Sequence, residues 1–195
     1  MNRAMRISQP AAGTRRALMV IDVQPATLTH DGARDMKAFI HRYIEKTSYD
    51  AYVVATFSAP EGSMFARQLK WVLSADAAGP SDPTIIEAVM SKGKPVTQVT
   101  KTVRSVFKGQ KTNDVRDFLD EYAIDEVHLA GFDINDCVLA TAYDALDQGY
   151  FTFAIEECCG RTDSDRSMID AALMILRKQA MTNNSNRLHS IELII

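Results

Sequence analysis

The segment Ala17-Leu18-Met19-Val20-Ile21 is an unbroken apolar run that ends on a carboxylate, Asp22. A strand with one wet face alternates polar and apolar residues, so a run without alternation predicts a strand buried on both faces, as in a parallel sheet covered by helices. Ala51 to Phe57 (AYVVATF) repeats the pattern, and Pro95 to Thr100, Glu126 to Phe132 and Phe151 to Glu156 read as further strands. Between them lie segments of helical period. These are Asp35 to Lys46, with Asp35 as its cap candidate, Phe65 to Leu73, Thr84 to Met90, Val115 to Tyr122, with Asn113 or Asp114 to cap it, Val138 to Leu146, and Ser164 to Gln179. Strands alternating with helices predict the α/β class, with helices on both faces of a parallel sheet. Ile191 to Ile195 is a candidate last strand, at a sheet edge or a subunit contact.

The chain has 195 residues, 46% of them hydrophobic and 24% charged, which suits one domain with a sizeable core. Residues 1–16 read as a flexible leader carrying Arg3, Arg6, Arg15 and Arg16 without an apolar stretch, and 17–195 as a single domain. No run approaches the ~18 apolar residues of a membrane span. A net charge of −3 and a pI near 5.8 supply no electrostatic attraction to nucleic acid or an anionic membrane, so a small molecule is the expected partner. Three cysteines, two of them adjacent at Cys158 and Cys159, make no disulfide framework, and a reducing, cytoplasmic setting is expected.

Three polar residues fall at the carboxyl ends of three predicted strands: Asp22, Lys101 and Cys137, the last at or near the first turn of a helix. Ligands of open α/β sheets bind outside those ends. Unpaired N–H groups and the helix dipole favour a thiolate at a helix start, a carboxylate can take a thiol proton, and an ammonium can hold the charges in place. Each residue also has a plain reading: Asp22 as a turn or cap, Lys101 as a solvated lysine, Cys137 as a small buried hydrophobe. Trp71 and Phe65 either line a pocket or belong to the core. From these residues alone the readings stay open.

Three separated segments resemble the isochorismatase-like cysteine hydrolases, which include nicotinamidases, carbamoylsarcosine amidases and isochorismatases. They are ALMVIDVQ at Ala17 to Gln24, KTVRSVF at Lys101 to Phe107, and GFDINDCVLATAYDALDQGY at Gly131 to Tyr150. The resemblance spans roughly Ala17 to Gln179 and implies a three-layer α/β/α fold around a mostly parallel, six-stranded, Rossmann-like sheet. In it the aspartate and cysteine strands are neighbours. It further implies Cys137 as nucleophile, Asp22 as general base and Lys101 as the group that orients the charged pair. A cis peptide between Phe132 and Asp133 is implied too, with the N–H groups of Asp133 and Cys137 aimed at a developing oxyanion. Gln24, Phe57, Trp71 and Phe107 become the substrate-pocket candidates, and a homo-oligomer, dimer or tetramer, is expected with no cofactor.

Departures from the family pattern sharpen the expectation. The segment after the second strand, ATFSAPEGSMF, lacks the Asp-x-His set of metal-binding members, so no metal is expected and nicotinamide loses its main support as substrate. His30, His41, His128 and His189 are scattered without ligand spacing and read as surface or helix residues. Pro25-Ala26-Thr27 and Ile134-Asn135 replace the usual residues of the first motif and the nucleophile loop, and Asp133 stands where a small residue is normal. The leading expectation is a metal-independent hydrolase that cleaves a small amide or carbamoyl C–N bond through a Cys137 thioester. Hydrolysis of an isochorismate-like enol ether and a catalytically silent binding homologue are the alternatives.

Overall fold

The apolar runs become the central strands of a parallel sheet. In this computed structural model, which describes residues 13–108 and 112–183, the chain begins with β1 (Arg16–Ile21) and α1 (Asp31–Lys46). It continues through β2 (Ala51–Phe57), α2 (Met64–Leu69), α3 (Ala75–Ala78), α4 (Pro83–Met90) and β3 (Val96–Lys101). The second half comprises α5 (Thr112–Glu121), β4 (Glu126–Gly131), α6 (Leu139–Asp147), β5 (Phe151–Cys159) and α7 (Arg166–Lys178). Neighbouring strands of the sheet pair in parallel, in the order β3-β2-β1-β4-β5. Five strands, not six, form the sheet among the described residues, and the candidate strand Ile191 to Ile195 lies outside them, as does His189. No helix among them is long and apolar enough to cross a membrane.

Side chains on successive strand residues point to opposite faces, and β1 uses both. Leu18 and Val20 pack with Ile40 and Ile44 of α1 and with Ile85 and Val89 of α4. Ala17, Met19 and Ile21 pack on the other face, against Ala142 and Ala145 of α6, Ala172 and Leu176 of α7, and Leu119 of α5. Neither face of β1 is wet, which is why its sequence has no alternation.

Boundaries moved where long-range contacts overrode local pattern. Arg16, the last residue of the expected leader, already opens β1, and Arg15 accepts main-chain bonds from Asp125 and Glu126. Helix α1 starts four residues early, at Asp31, so that Ala33 can be buried. The predicted helix to Leu73 stops instead at Leu69, because Lys70 turns left-handed and Leu73 pairs antiparallel with Ala59. Strand β5 runs on through Cys158 and Cys159, where Asn183 accepts a hydrogen bond from the Glu156 N–H and Arg177 pairs with the Glu156 carboxylate. His128 is not on the surface: it is buried on β4, where Tyr49 Oη meets its Nδ1 at 2.8 Å and Glu126 Oε1 its Nε2 at 2.6 Å.

Gly131 closes β4 where it crosses β1, at φ +128, and a Cβ there would lie 2.0 Å from the carbonyl oxygen of Ile21. Gly149 also has a positive φ, +96, but open space around it. Gly131→Ala therefore adds a backbone clash to conformational strain and should cost about 4 kcal/mol or more. Gly149→Ala should cost only about 1 kcal/mol. Urea unfolding of both variants checks the difference, and equal costs would contradict the close approach of β1 and β4.

Candidate active site

Strand order reverses direction at β1: β2 and β3 lie to one side, β4 and β5 to the other. The carboxyl ends of β1 and β4 therefore form the switch point where α/β sheets bind ligands. Asp22 follows β1 there, in a left-handed conformation at φ 55 that Asp tolerates better than most residues, with its N–H bonded to Ala55 O at 2.9 Å. Its carbonyl accepts from Thr27 Oγ1 at 2.6 Å. Cys137 follows β4, inside a π-helical turn, Ile134–Val138, that leads into α6.

Lys101 is the last residue of β3, two strands away from β1, and it sits in register with Phe57 of β2. Two interstrand spacings are close to 10 Å, which only a long side chain can cross. The lysine passes 4.8 Å from the centroid of the Phe57 ring and places Nζ 2.7 Å from Asp22 Oδ2. Both partners are buried, Lys101 completely. The second carboxylate oxygen, Asp22 Oδ1, is buried and accepts no hydrogen bond among the described residues. The Cys137 thiol is near enough to couple electrostatically to both members of the pair, without standing in a formed hydrogen bond to Oδ1.

Burial dominates the ionisation of all three groups. It pushes the Asp22 carboxyl above the usual carboxylate range even against the charge of Lys101. Burial would lower Lys101, but Asp22 and Cys137 together outweigh it and push the ammonium up. Cys137 is pushed well up, by burial and then by the charge of Asp22. A helix start offers partial positive charge to a thiolate, but loss of hydration and the neighbouring carboxylate act against it.

Asp22 and Cys137 line a cavity of about 150 Å³. Phe57, Phe65, Trp71 and Leu73 form its apolar wall, with Trp71 stacked nearly parallel on Phe57 at 6.0 Å between centroids. Trp71 is half-exposed and lines the cavity, so it is not core. Gln24 also lines it, but its amide is spent on the frame: Oε1 accepts from Phe57 N at 2.8 Å, and Nε2 donates to Phe57 O and Ala78 O. Phe107 does not reach the cavity. It is buried against Tyr150, the rings stacked at 5.9 Å, because the turn at Val106–Lys108 directs it to the opposite side.

The nucleophile turn is held from outside itself. The Phe132–Asp133 peptide is cis, and the Asp133 N–H donates no hydrogen bond among the described residues. Ile134 N bonds to Gly160 O at 2.9 Å, Arg161 pairs with the Asn135 side-chain oxygen, and Asp133 Oδ1 accepts from Thr162 N and Thr162 Oγ1 at 2.6 and 2.8 Å. Asp136 pairs with Arg104, whose guanidinium lies 4.5 Å over the Phe65 ring. Buried Thr141 donates to Cys137 O at 2.7 Å and accepts from Val106 N at 3.1 Å, tying the Lys101 segment to the turn. Thr162, Asp136 and Thr141 escaped the sequence reading. Only Thr141 carried a signal, a hydroxyl four residues after Cys137, the spacing of a helical back-bond.

A metal does not fit this donor set. Among the described residues no three His, Cys, Asp or Glu side chains are arranged to hold one, and each cavity carboxylate already has a partner in Lys101, Arg104 or Thr162.

The isochorismatase domain model matches residues 16–184. Among solved structures, the pyrazinamidase/nicotinamidase of Streptococcus mutans UA159 superposes with a TM-score of 0.69 at 22% identity, covering 86% of this chain and 98% of that one. The isochorismatase-like hydrolase of Alkaliphilus metalliredigens gives 0.67 at 19% identity, with 87% and 93% covered. The nicotinamidase of Bacillus subtilis gives 0.66 at 22%, with 87% and 98% covered. At these identities the likeness is one of fold. Among curated proteins none matches.

Removing one partner of a dry ion pair strands the other charge. Lys101→Met should cost about 3–5 kcal/mol of stability. The double variant Asp22→Asn/Lys101→Met should cost clearly less than the sum of the two single changes. A double-mutant cycle by urea unfolding measures this, and simple additivity would mean that the two side chains do not depend on each other.

Proposed function

The chain belongs to the isochorismatase domain family, and from that premise we propose that it is a cysteine hydrolase that cleaves the C–N bond of a small amide or carbamoyl compound through a Cys137 thioester, without a metal. The observation that carries the reading is the convergence, at one cavity, of a thiol with an ion-paired carboxylate that keeps one oxygen unpartnered among the described residues. Solved structures with this fold include nicotinamidases, which favours an amide over an ether. The size of the cavity favours a small substrate: a site near 150 Å³ matches the space that holds a benzene-sized molecule.

Asp22 takes the proton from Cys137 Sγ as sulfur attacks the carbonyl carbon, and an S–C bond forms. The oxygen becomes an oxyanion, held by the N–H groups of Asp133 and Cys137, an interaction worth about 3 kcal/mol per donor in comparable sites. The intermediate collapses, the C–N bond breaks, and the leaving nitrogen takes the proton back from Asp22. A water then gives a proton to Asp22 and attacks the thioester. The S–C bond breaks, the acid leaves, and the sulfur is reprotonated. Lys101 keeps the Asp22 carboxylate oriented and balances its charge throughout. Because burial and the Asp22 charge favour the protonated thiol, proton removal is part of the attack, and Asp22 matters more here than at a preformed thiolate.

Alkylation of Cys137 by iodoacetamide, followed by mass spectrometry near neutral pH, tests the base. Asp22→Asn should slow it about 100-fold or more, and an unchanged rate would sink the role given to Asp22. In the wild-type protein, reactivity requires the ionised carboxylate. Since burial raises that pKa, the rate should fall as pH drops, with its midpoint above 3.8, the ordinary value for Asp. A midpoint at or below that value would contradict a buried, raised base.

A further inference from the structure

The three cavity carboxylates are not equivalent. Asp22 is paired with Lys101 and Asp136 with Arg104, whereas Asp133 forms no ion pair among the described residues. Asp133 uses only Oδ1, which takes both the N–H and the hydroxyl of Thr162. Two donors on one oxygen fix the carboxylate plane, and Oδ2 accepts no hydrogen bond among the described residues. Oδ2 is also absent from the oxygens that are both buried and unpartnered, a condition met by Asp22 Oδ1. Asp133 lines the cavity beside Cys137, and its Oδ2 is a spare acceptor on a carboxylate held by Thr162.

The same residue presents an N–H on its main chain and a carboxylate oxygen on its side chain. An amide has the complementary pair, an acceptor oxygen and a donor N–H on either side of one carbon. We infer that Asp133 reads the nitrogen end of the substrate, its Oδ2 accepting a hydrogen bond from the N–H of the scissile C–N bond. The site thereby selects amides, ureas and carbamates that keep at least one hydrogen on the leaving nitrogen. This deepens the acyl-enzyme reading and rests on it. Esters, thioesters and N,N-disubstituted amides place a lone pair or a carbon opposite Oδ2 and leave a desolvated carboxylate oxygen unpaired, a loss comparable to that of a hydrogen bond to a charged group. The hydrogen bond also orients the departing nitrogen as the C–N bond breaks.

The test uses the full chain and two reagents that alkylate Cys137, iodoacetamide and methyl iodoacetate. In both, sulfur displaces iodide and Asp22 takes the thiol proton, but only the amide offers an N–H. Each rate is divided by the rate of the same reagent with glutathione at the same pH, which removes intrinsic reactivity. The wild-type protein should prefer the amide by about tenfold or more. Asp133→Asn keeps an oxygen for Thr162 and turns the cavity-facing atom into a donor. The normalised preference should fall to about one or below. A wild-type preference near one overturns the inference without any variant, so poor folding of Asp133→Asn leaves it falsifiable. An unchanged preference in Asp133→Asn also overturns it, as does an equal fall of both rates, which would mark Asp133 as a support for the turn. Fast labelling without amide preference sinks this inference alone, whereas a Cys137 inert to both reagents sinks the acyl-enzyme reading and this inference with it.

Discussion

The buried contact between Lys101 Nζ and Asp22 Oδ2, at 2.7 Å, is the interaction around which the site is arranged. Taking two charges out of water is expensive, and a well-packed apolar pair serves stability at least as well. The fold nevertheless routes a lysine from β3 across the Phe57 ring of β2 to reach a carboxylate on β1. What the arrangement provides is a carboxylate with one oxygen engaged by Lys101 and the other without a partner among the described residues, free to take a proton. Around it stand the Phe57, Phe65 and Trp71 wall, the Gln24 amide that staples the end of β2 to α3, and the left-handed turn at Asp22.

The nucleophile turn depends on a second set of contacts. Its residues Asp133, Ile134 and Asn135 depart from the usual pattern, yet each finds a partner in the loop after β5: Thr162, Gly160 and Arg161. Rigidity is thus supplied across the sheet edge rather than within the turn. A site whose groups must stay within a fraction of an ångström needs such outside support, since a turn of a few residues cannot fix its own side chains. Thr141 does the same from below, joining the carbonyl of Cys137 to the segment that carries Lys101.

Much of the fold was legible. β2 was readable to the residue, because both its flanks carry polar breaks, and α7 nearly so, because its apolar positions keep a strict helical spacing. The segment from Ser58 to Pro83 was not. Its course is dictated by the Ala59–Leu73 bridge and by aromatic packing onto Phe57, neither of which leaves a periodic trace. His128 and Phe107 were misplaced for a related reason. A single polar or aromatic residue carries no period, and only its partners, Tyr49 and Glu126 for the one and Tyr150 for the other, decide where it points.

Asp22, Lys101 and Cys137 were each readable as strand-end residues, because apolar runs locate strand ends and parallel pairing gathers those ends on one edge. The sequence by itself therefore determined the class of fold, the edge on which chemistry is placed and the residues that stand there. Tertiary structure alone decided that Lys101 and Asp22 touch, that Cys137 is buried beside them, that Phe107 faces away and that Asp133 is held by Thr162. The physical reason is range. Strand and helix patterns are set by neighbours a few residues apart, whereas contact geometry and burial are set by residues far apart in the chain, 79 positions in the case of Lys101 and Asp22.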